Sequence, residues 1–212
     1  MSYLNEMAKS GYNIQSIDSF HKEMIPYLVE TLAGAEHEDL IVDIGAGQGH
    51  GLIPLMERGY QRLVAVDMEE ENFPIFEKYG IKCYRCDVEH DSLPLANDTV
   101  NVILSIHLIE HLDAPDQFMR ECFRLLVPGG HIFIVTPDWR KQVKTFWRDP
   151  THRHPYDRVS IARLLRIHDF DNEKTYPWNS RYGFGRLHAF KLFPMLGMIG
   201  KDLLAHARKP KR

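Results

Sequence analysis

The sequence predicts an α/β protein, a doubly wound and mostly parallel sheet with helices on both faces. Three observations predict it. Short apolar runs of strand length alternate with segments of helical period through the first two thirds of the chain. The first of these runs closes on an acid and a glycine-rich loop, LIVDIGAGQG from Leu40 to Gly49. The following runs also end on polar residues, where an open sheet of this kind gathers a ligand.

The elements follow in order. Met24 to Leu32 reads as a covering helix ahead of the first strand. Strands are expected at Leu40–Ile44, Leu63–Asp67, Lys82–Asp87, Val100–Ile106 and His131–Thr136. Helices are expected between them at Leu52–Arg58, Phe73–Tyr79 and Gln117–Leu126, the last with Phe118, Cys122, Leu125 and Leu126 at helical spacing. Repeated strand–helix units require right-handed crossovers and parallel pairing. From Trp139 onward the regularity fades into dense Trp, Tyr, His, Arg, Gly and Pro, as in a loop-rich face over a pocket. A helix at Val159–Ile167 interrupts it, and Lys201–Arg208 is expected as a last, edge strand. Phe190 to Leu204 is apolar but broken by Pro194, Gly197 and Gly200, so it reads as a packed helix or turn. Arg208 to Arg212 reads as a frayed basic terminus.

The loop spacing narrows the ligand. A dinucleotide fingerprint needs G-x-G-x-x-G. From Gly45 its last position falls on His50, and from Gly47 on Leu52, so both registers fail. No Gly-Lys-Ser/Thr follows either, which excludes a Walker A loop. What remains is acid-x-Gly-x-Gly-x-Gly, Asp43 to Gly49, with Asp67 closing the next strand in position for ribose hydroxyls.

Bulk properties bound the rest. A chain of 212 residues with 44% hydrophobic and 26% charged content fits one globular domain. A formal charge of −3 supplies no basic field for nucleic acid or anionic lipid. Three cysteines make no disulfide framework, and Cys83 and Cys86 form a C-x-x-C without a second pair. A cytoplasmic location is the simplest expectation. Residues 1–10 lack the apolar core of a signal peptide, and no apolar run approaches the roughly 18 residues of a membrane span.

The residues from Ile41 to Asp138 resemble the class I S-adenosylmethionine-dependent methyltransferases, in particular the UbiE/UbiG-like, methyltransferase type 11 group. Asp43 to Gly49 resembles their first motif. LPLANDTVNVILS resembles an "LPF-x-x-x-x-F-D-x-V" region, with Asn101 where an acid is common. IEHL, followed by Asp113, Pro115 and ECFRLLVPGGHIFI, resembles the passage from the fourth strand to the fifth, Leu126–Gly130 being the turn ahead of it. The resemblance implies a seven-stranded Rossmann-like sheet and a single domain over 1–212. Covering helices would occupy 1–38, the donor-binding core 39–138, and an acceptor-side lobe with the last strands 139–212. It implies S-adenosylmethionine as donor and S-adenosylhomocysteine as product. The donor contacts it implies are Asp43, Gly45, Ala46, Gly47, Gly49, Asp67, Met68, Asp87, Val88, Ser105 and Ile106. Asp67 would hold both ribose hydroxyls. Asp87 would accept from the adenine amino group, with the Val88 backbone at the ring.

Histidines mark the catalytic candidates. His107-Leu-Ile-Glu110-His111 formally matches H-x-x-E-H, a zinc peptidase pattern. That pattern needs both histidines on one helical face, and His107 closes a predicted strand. In a methyltransferase the loop after strand four borders the methyl group, so His107 or His111 is a candidate base or holder of a metal. Glu110 and His111 capping a helix start is the competing, structural reading. The second cluster is Asp149-Pro-Thr-His152-Arg-His154-Pro-Tyr156. It is similar to a run in methyltransferases of cell-surface glycan synthesis. Imidazole suits general-base work at neutral pH, and His152 is the expected base, facing His107 or His111 across the methyl group. No metal ligand set is assigned. Arg148, Arg153 and Arg158 would suit an anionic acceptor, and Trp139, Trp147, Trp178 and Tyr182 would wall its pocket or pack the covering lobe.

The expected function is methyl transfer to a small metabolite, glycan or lipid precursor, at oxygen, by in-line displacement. RNA or protein methylation is the alternative. Against it, the chain lacks an Asn-Pro-Pro-Tyr type motif, a Pro-Cys nucleophile and an added basic domain. A non-enzymatic partner protein keeping the donor fold is the third reading, opposed by the intact glycine loop, Asp67 and Asp87.

Overall fold

The computed structural model describes residues 22–178 and 200–211. A helix over residues 22–27 runs on as a π-helical segment, Leu28–Ala33, and is stopped by Gly34 in the left-handed region (φ +64°). The sheet strands are β1 (Ile41–Ile44), β2 (Leu63–Asp67), β3 (Lys82–Arg85), β4 (Val100–Ile106), β5 (Leu126–Pro137), β6 (Asp171–Trp178) and β7 (Asp202–Arg208). They form one seven-stranded sheet in the order β3-β2-β1-β4-β5-β7-β6. The first five pair in parallel, and β7 is antiparallel to both its neighbours. This is the expected doubly wound, mostly parallel Rossmann-like sheet.

Short helices Ile53–Met56 and Phe73–Lys78 follow β1 and β2, and longer ones, Pro115–Leu125 and Arg158–Ile167, follow β4 and β5. Each of the first three carries Pro in its first turn, where the missing N–H costs nothing. Each face of the sheet buries its own apolar cluster. Val42, Val64, Ile103, Ile132 and Ala205 point to one face, beneath Phe118, Cys122 and Leu165. Ile41, Ala65, Val102, Phe133 and Leu204 point to the other, beneath Leu28, Leu55 and Phe76.

Four expectations need correction. Lys201–Arg208 does form a strand, but an inner one. β7 is buried along nearly its whole length because Leu203, Ala205 and Ala207 serve one face and Leu204 the other. The edge is β6, DNEKTYPW, whose alternating burial and Pro177 suit a strand paired on one side only. β3 stops at Arg85, so Asp87 lies in the following turn. β5 begins at Leu126, not His131, so the Val127–Gly130 passage is already paired strand, kinked at Gly129 (φ +86°). The basic terminus is anchored through Lys209. Its ammonium meets Asp98 at 2.6 Å and the Phe123 carbonyl at 2.8 Å, and its backbone pairs with Gly129 and Gly130. Most of residues 1–38, Tyr182 and much of Phe190–Leu204 lie outside the described residues. Asn101 is structural: its side-chain carbonyl accepts from the Leu40 N–H at 3.0 Å, joining the start of β4 to β1.

Candidate donor and acceptor site

The candidate donor half lies where β1 and β2 end. Gly45, Gly47 and Gly49 all adopt positive φ (+76°, +47°, +83°), a conformation that costs other residues about 1–3 kcal/mol. A Cβ on Gly49 would lie 2.8 Å from Ile53 Cδ1 and 3.1 Å from Phe76 Cε1, so the loop packs against the helix it opens. Asp67 fixes the loop directly. Its Oδ2 accepts from the Gly47 N–H at 2.7 Å and its Oδ1 from the Glu69 N–H at 2.9 Å. Both carboxylate oxygens therefore already shape the backbone that a ribose would meet.

Asp43 is buried in β1, and its Oδ1 has no hydrogen-bond partner among the described residues. Burial, then the neighbouring Asp67 charge, pushes its carboxyl up to about 8. Gly51, which sequence reasoning passed over, presses on this carboxylate: a Cβ there would overlap Asp43 Oδ2. Ser105 is fully buried in β4, and its hydroxyl has no hydrogen-bond partner among the described residues. Orphaned buried polar atoms beside a glycine cradle fit a ligand rich in hydrogen-bonding groups.

Of the remaining donor candidates, Ala46 and Val88 are buried, Ile106 is partly buried and Met68 is exposed. Asp87 accepts from the Glu89 N–H at 3.1 Å and contacts His90 Nδ1 at 3.0 Å. Partial burial works against ionisation, but these partners outweigh it and hold the carboxyl below its usual range. The C-x-x-C is not a thiolate pair: both thiols are free, and burial, aided by nearby acids, pushes Cys86 up to about 11.

The candidate acceptor half lies beyond β4 and β5. The chain leaves β4 through His107, held at φ +54° with its N–H bonded to the Val135 carbonyl. A single 3-10 turn, Ile109–His111, follows. His107 and His111 therefore share no helical face, which excludes the zinc-peptidase geometry. The loop 149–157 folds back onto this turn. Arg153 and His154 N–H groups bond the Glu110 carbonyl at 2.7 and 3.1 Å, and Tyr156 bridges to Asp138 at the end of β5.

That folding brings His111 and His152 together, their rings 4.9 Å apart, while Glu110 lies buried beneath. Glu110 Oε1 contacts His107 Nδ1 at 3.2 Å, and its Oε2 accepts from the Thr136 hydroxyl at 3.0 Å. Burial favours the neutral acid, but the hydrogen bond from His107 and the nearby imidazoles outweigh it and keep the carboxyl below its usual range. For His111, burial pushes the ring below the usual imidazole range, against the pull of Glu110.

Hydrogen-bond accounting fixes the tautomers. His152 Nδ1 lies 2.8 Å from the Phe146 carbonyl, which only accepts, so Nδ1 carries the proton. The Thr151 hydroxyl donates to Asp149 Oδ1 at 2.6 Å, so its oxygen accepts from His111 Nδ1–H at 2.8 Å. Both rings, when neutral, carry their lone pair on Nε2. Sequence reasoning missed Glu110, Thr151 and Phe146 as site residues. The H-x-x-E-H and D-P-T-H runs contained the first two, whereas nothing local marked Phe146.

The basic candidates are partly engaged. Arg153 pairs with Asp113 at 3.2 Å and Arg158 bonds the Thr175 hydroxyl and carbonyl, while Arg148 is exposed. Trp178 is buried in the core, Trp139 is half-buried, and Trp147 is 60% exposed, edge-on to Phe146.

Comparisons with known proteins bear on the family and the fold. A family profile described as a methyltransferase domain matches residues 4–175. A probable S-adenosylmethionine-dependent methyltransferase of Mycolicibacterium smegmatis is 28% identical over 73% of this chain and 59% of its own length. A ubiquinone biosynthesis O-methyltransferase of Parvibaculum lavamentivorans is 34% identical over 47% of this chain and 41% of its own. The chain thus spans about half the length of these curated relatives. Among solved structures, an S-adenosylmethionine-dependent methyltransferase from Archaeoglobus fulgidus superposes with a TM-score of 0.71 at 17% identity, covering 99% of this chain and 100% of its own. The chain belongs to the methyltransferase-domain family and has the class I S-adenosylmethionine-dependent methyltransferase fold.

Proposed function

We propose that the protein transfers a methyl group from S-adenosylmethionine to a hydroxyl oxygen of a small metabolite, glycan or lipid precursor, as a UbiE/UbiG-like enzyme in the cytoplasm. The donor supplies an electrophilic methyl carbon on a sulfonium. The glycine loop, Asp67 and the Asp87–Val88 turn hold its adenosine, and Asp43 and Ser105 line the floor beneath it. The chain's task is to align the acceptor with that carbon, which alone is worth several orders of magnitude in rate. A hydroxyl must also lose its proton.

The observation that carries the oxygen assignment is the Glu110–His111–His152 cluster, which holds two imidazole lone pairs over a buried carboxylate. Such a cluster lowers the cost of deprotonating a hydroxyl. The partial matches to ubiquinone biosynthesis O-methyltransferases favour the same atom. Two of the three arginine candidates already have partners, which favours an acceptor recognised by shape over one held by charge.

Transfer of labelled methyl groups from the donor into a fractionated metabolite extract, followed by mass spectrometry, tests this. The expected product is a methyl ether on a small molecule or glycan precursor. Label confined to RNA or protein overturns the proposal. With the product in hand, His152→Ala should leave donor affinity intact and cut turnover by roughly 10²–10⁴-fold. Full turnover in that variant removes His152 from catalysis.

A further inference from the structure

We infer that Glu110, His111 and His152 form a binding site for one divalent transition-metal ion on the acceptor side of the fold. One ligand atom from each, a ring nitrogen from each histidine and a carboxylate oxygen from Glu110, lies within 4.8 Å of the others. His111 Nε2 is 3.9 Å from Glu110 Oε1. Ligands held at about 2.0–2.2 Å around a tetrahedral ion lie roughly 3.4 Å apart, so small ring rotations close the site.

The surroundings are what make these three residues a ligand set. A metal-binding imidazole donates its second N–H to a carbonyl or a carboxylate-backed partner, and the ligating carboxylate is itself hydrogen-bonded. Each condition is met. His152 Nδ1–H donates to the Phe146 carbonyl, and Phe146 packs on the ring at 4.3 Å. His111 Nδ1–H donates to Thr151, whose hydroxyl proton is committed to Asp149. Glu110 receives His107 on one oxygen and Thr136 on the other. Both Nε2 lone pairs are thereby aimed away from their anchors.

Two imidazoles and one carboxylate select zinc, iron, cobalt or nickel over magnesium or calcium, whose preference is for oxygen. Three protein ligands also leave coordination positions open. This set shares Glu110 and His111 with the H-x-x-E-H string but replaces His107 by His152 from a distant loop.

The role of the ion rests on the O-methylation reading; its binding does not. The acceptor hydroxyl takes an open position, and its acidified proton leaves to solvent. The oxygen then bonds the methyl carbon as the carbon–sulfur bond breaks, and that electron pair returns to sulfur as the neutral thioether.

The test uses protein stripped with chelator and titrated with cobalt(II), read by visible absorption, and with zinc, read by calorimetry. Donor affinity is measured in parallel. A single equivalent should bind and develop the visible bands of a low-coordinate cobalt centre. His111→Ala and His152→Ala should abolish those bands with donor affinity unchanged. Thr151→Val should weaken cobalt roughly 10–100-fold while both ring ligands remain. No cobalt band and no zinc heat in donor-competent wild type overturns the site. So does binding that survives the His111→Ala/His152→Ala double variant. Failure of donor binding in wild type would instead sink the methyltransferase reading, and the cobalt titration would still be read on its own.

Discussion

Single residues at the donor floor do double duty. Asp67 holds the glycine loop through the Gly47 N–H and its own turn through the Glu69 N–H, so a ribose placed there would compete with or share those bonds. Asp67→Ala should therefore lower donor affinity by at least about tenfold, from charge-assisted bonds worth roughly 1.5–3 kcal/mol each. Calorimetry returning wild-type affinity would remove Asp67 from the site. Asp43 makes a sharper case. Its carboxyl, raised to about 8 by burial and by Asp67, holds a proton at neutral pH in the donor-free protein. The donor carries an ammonium and a sulfonium, and a cation entering beside it favours the ionised acid. Binding at pH 7 should release a proton, so the apparent enthalpy should differ between phosphate and Tris buffers. Asp43→Asn should abolish the difference, and equal enthalpies in wild type would show that Asp43 does not face the donor's positive charge. The same shift fixes a sign for folding. A carboxyl raised in the native state makes stability fall as pH rises from about 4 toward 8.

Among elements, those with local signatures were readable and those defined by distant contacts were not. The β1 loop and its acids announce themselves because strand, turn and helix follow within a dozen positions. β6 did not, because charges at Asp171, Glu173 and Lys174 and a proline at Pro177 mask a strand that pairs with only one neighbour. His111 and Thr151 stand 40 residues apart, so no window of sequence contains their hydrogen bond. The helix Arg158–Ile167 was legible from its apolar spacing, and its start is secured by a capping box. Asp157 accepts from the Val159 and Ser160 N–H groups at 3.0 and 2.8 Å, and Ser160 Oγ returns a bond to the Asp157 N–H. Arg140 adds an ion pair at 2.7 Å. This cap ends the 149–157 loop that carries His152. Asp157→Ala should cost about 1 kcal/mol and lower Tm by roughly 2–4 °C. A melting temperature unchanged within error would show that the loop is held by its Glu110 and Asp138 contacts alone.

At the scale of the whole molecule, the inner position of β7 leaves two histidines largely buried. His131 of β5 and His206 of β7 stack at 5.1 Å, share a hydrogen bond of 2.9 Å and lie against Phe133. One ring must donate and the other accept, so at least the accepting ring is neutral in the folded protein. Burial, followed by Arg208 and Lys211, pushes His131 down to about 4. Burial, followed by His131, Arg208 and Lys174, pushes His206 down to about 3. In the unfolded chain both rings protonate near the ordinary value of about 6.5. The unfolded state then binds more protons than the native state below that pH. Stability present above about 6.5 is accordingly lost as pH falls toward 4, by up to about 1.4 kcal/mol per pH unit for each histidine. Urea unfolding at pH 7 and pH 5 should show the loss in wild type. The His131→Leu/His206→Leu double variant keeps the apolar packing, removes the orphaned His206 Nδ1 and should flatten the slope between those pH values. An unchanged slope in the folded variant would mean that acid opens the protein elsewhere, and the Glu110 cluster would be the next place to look.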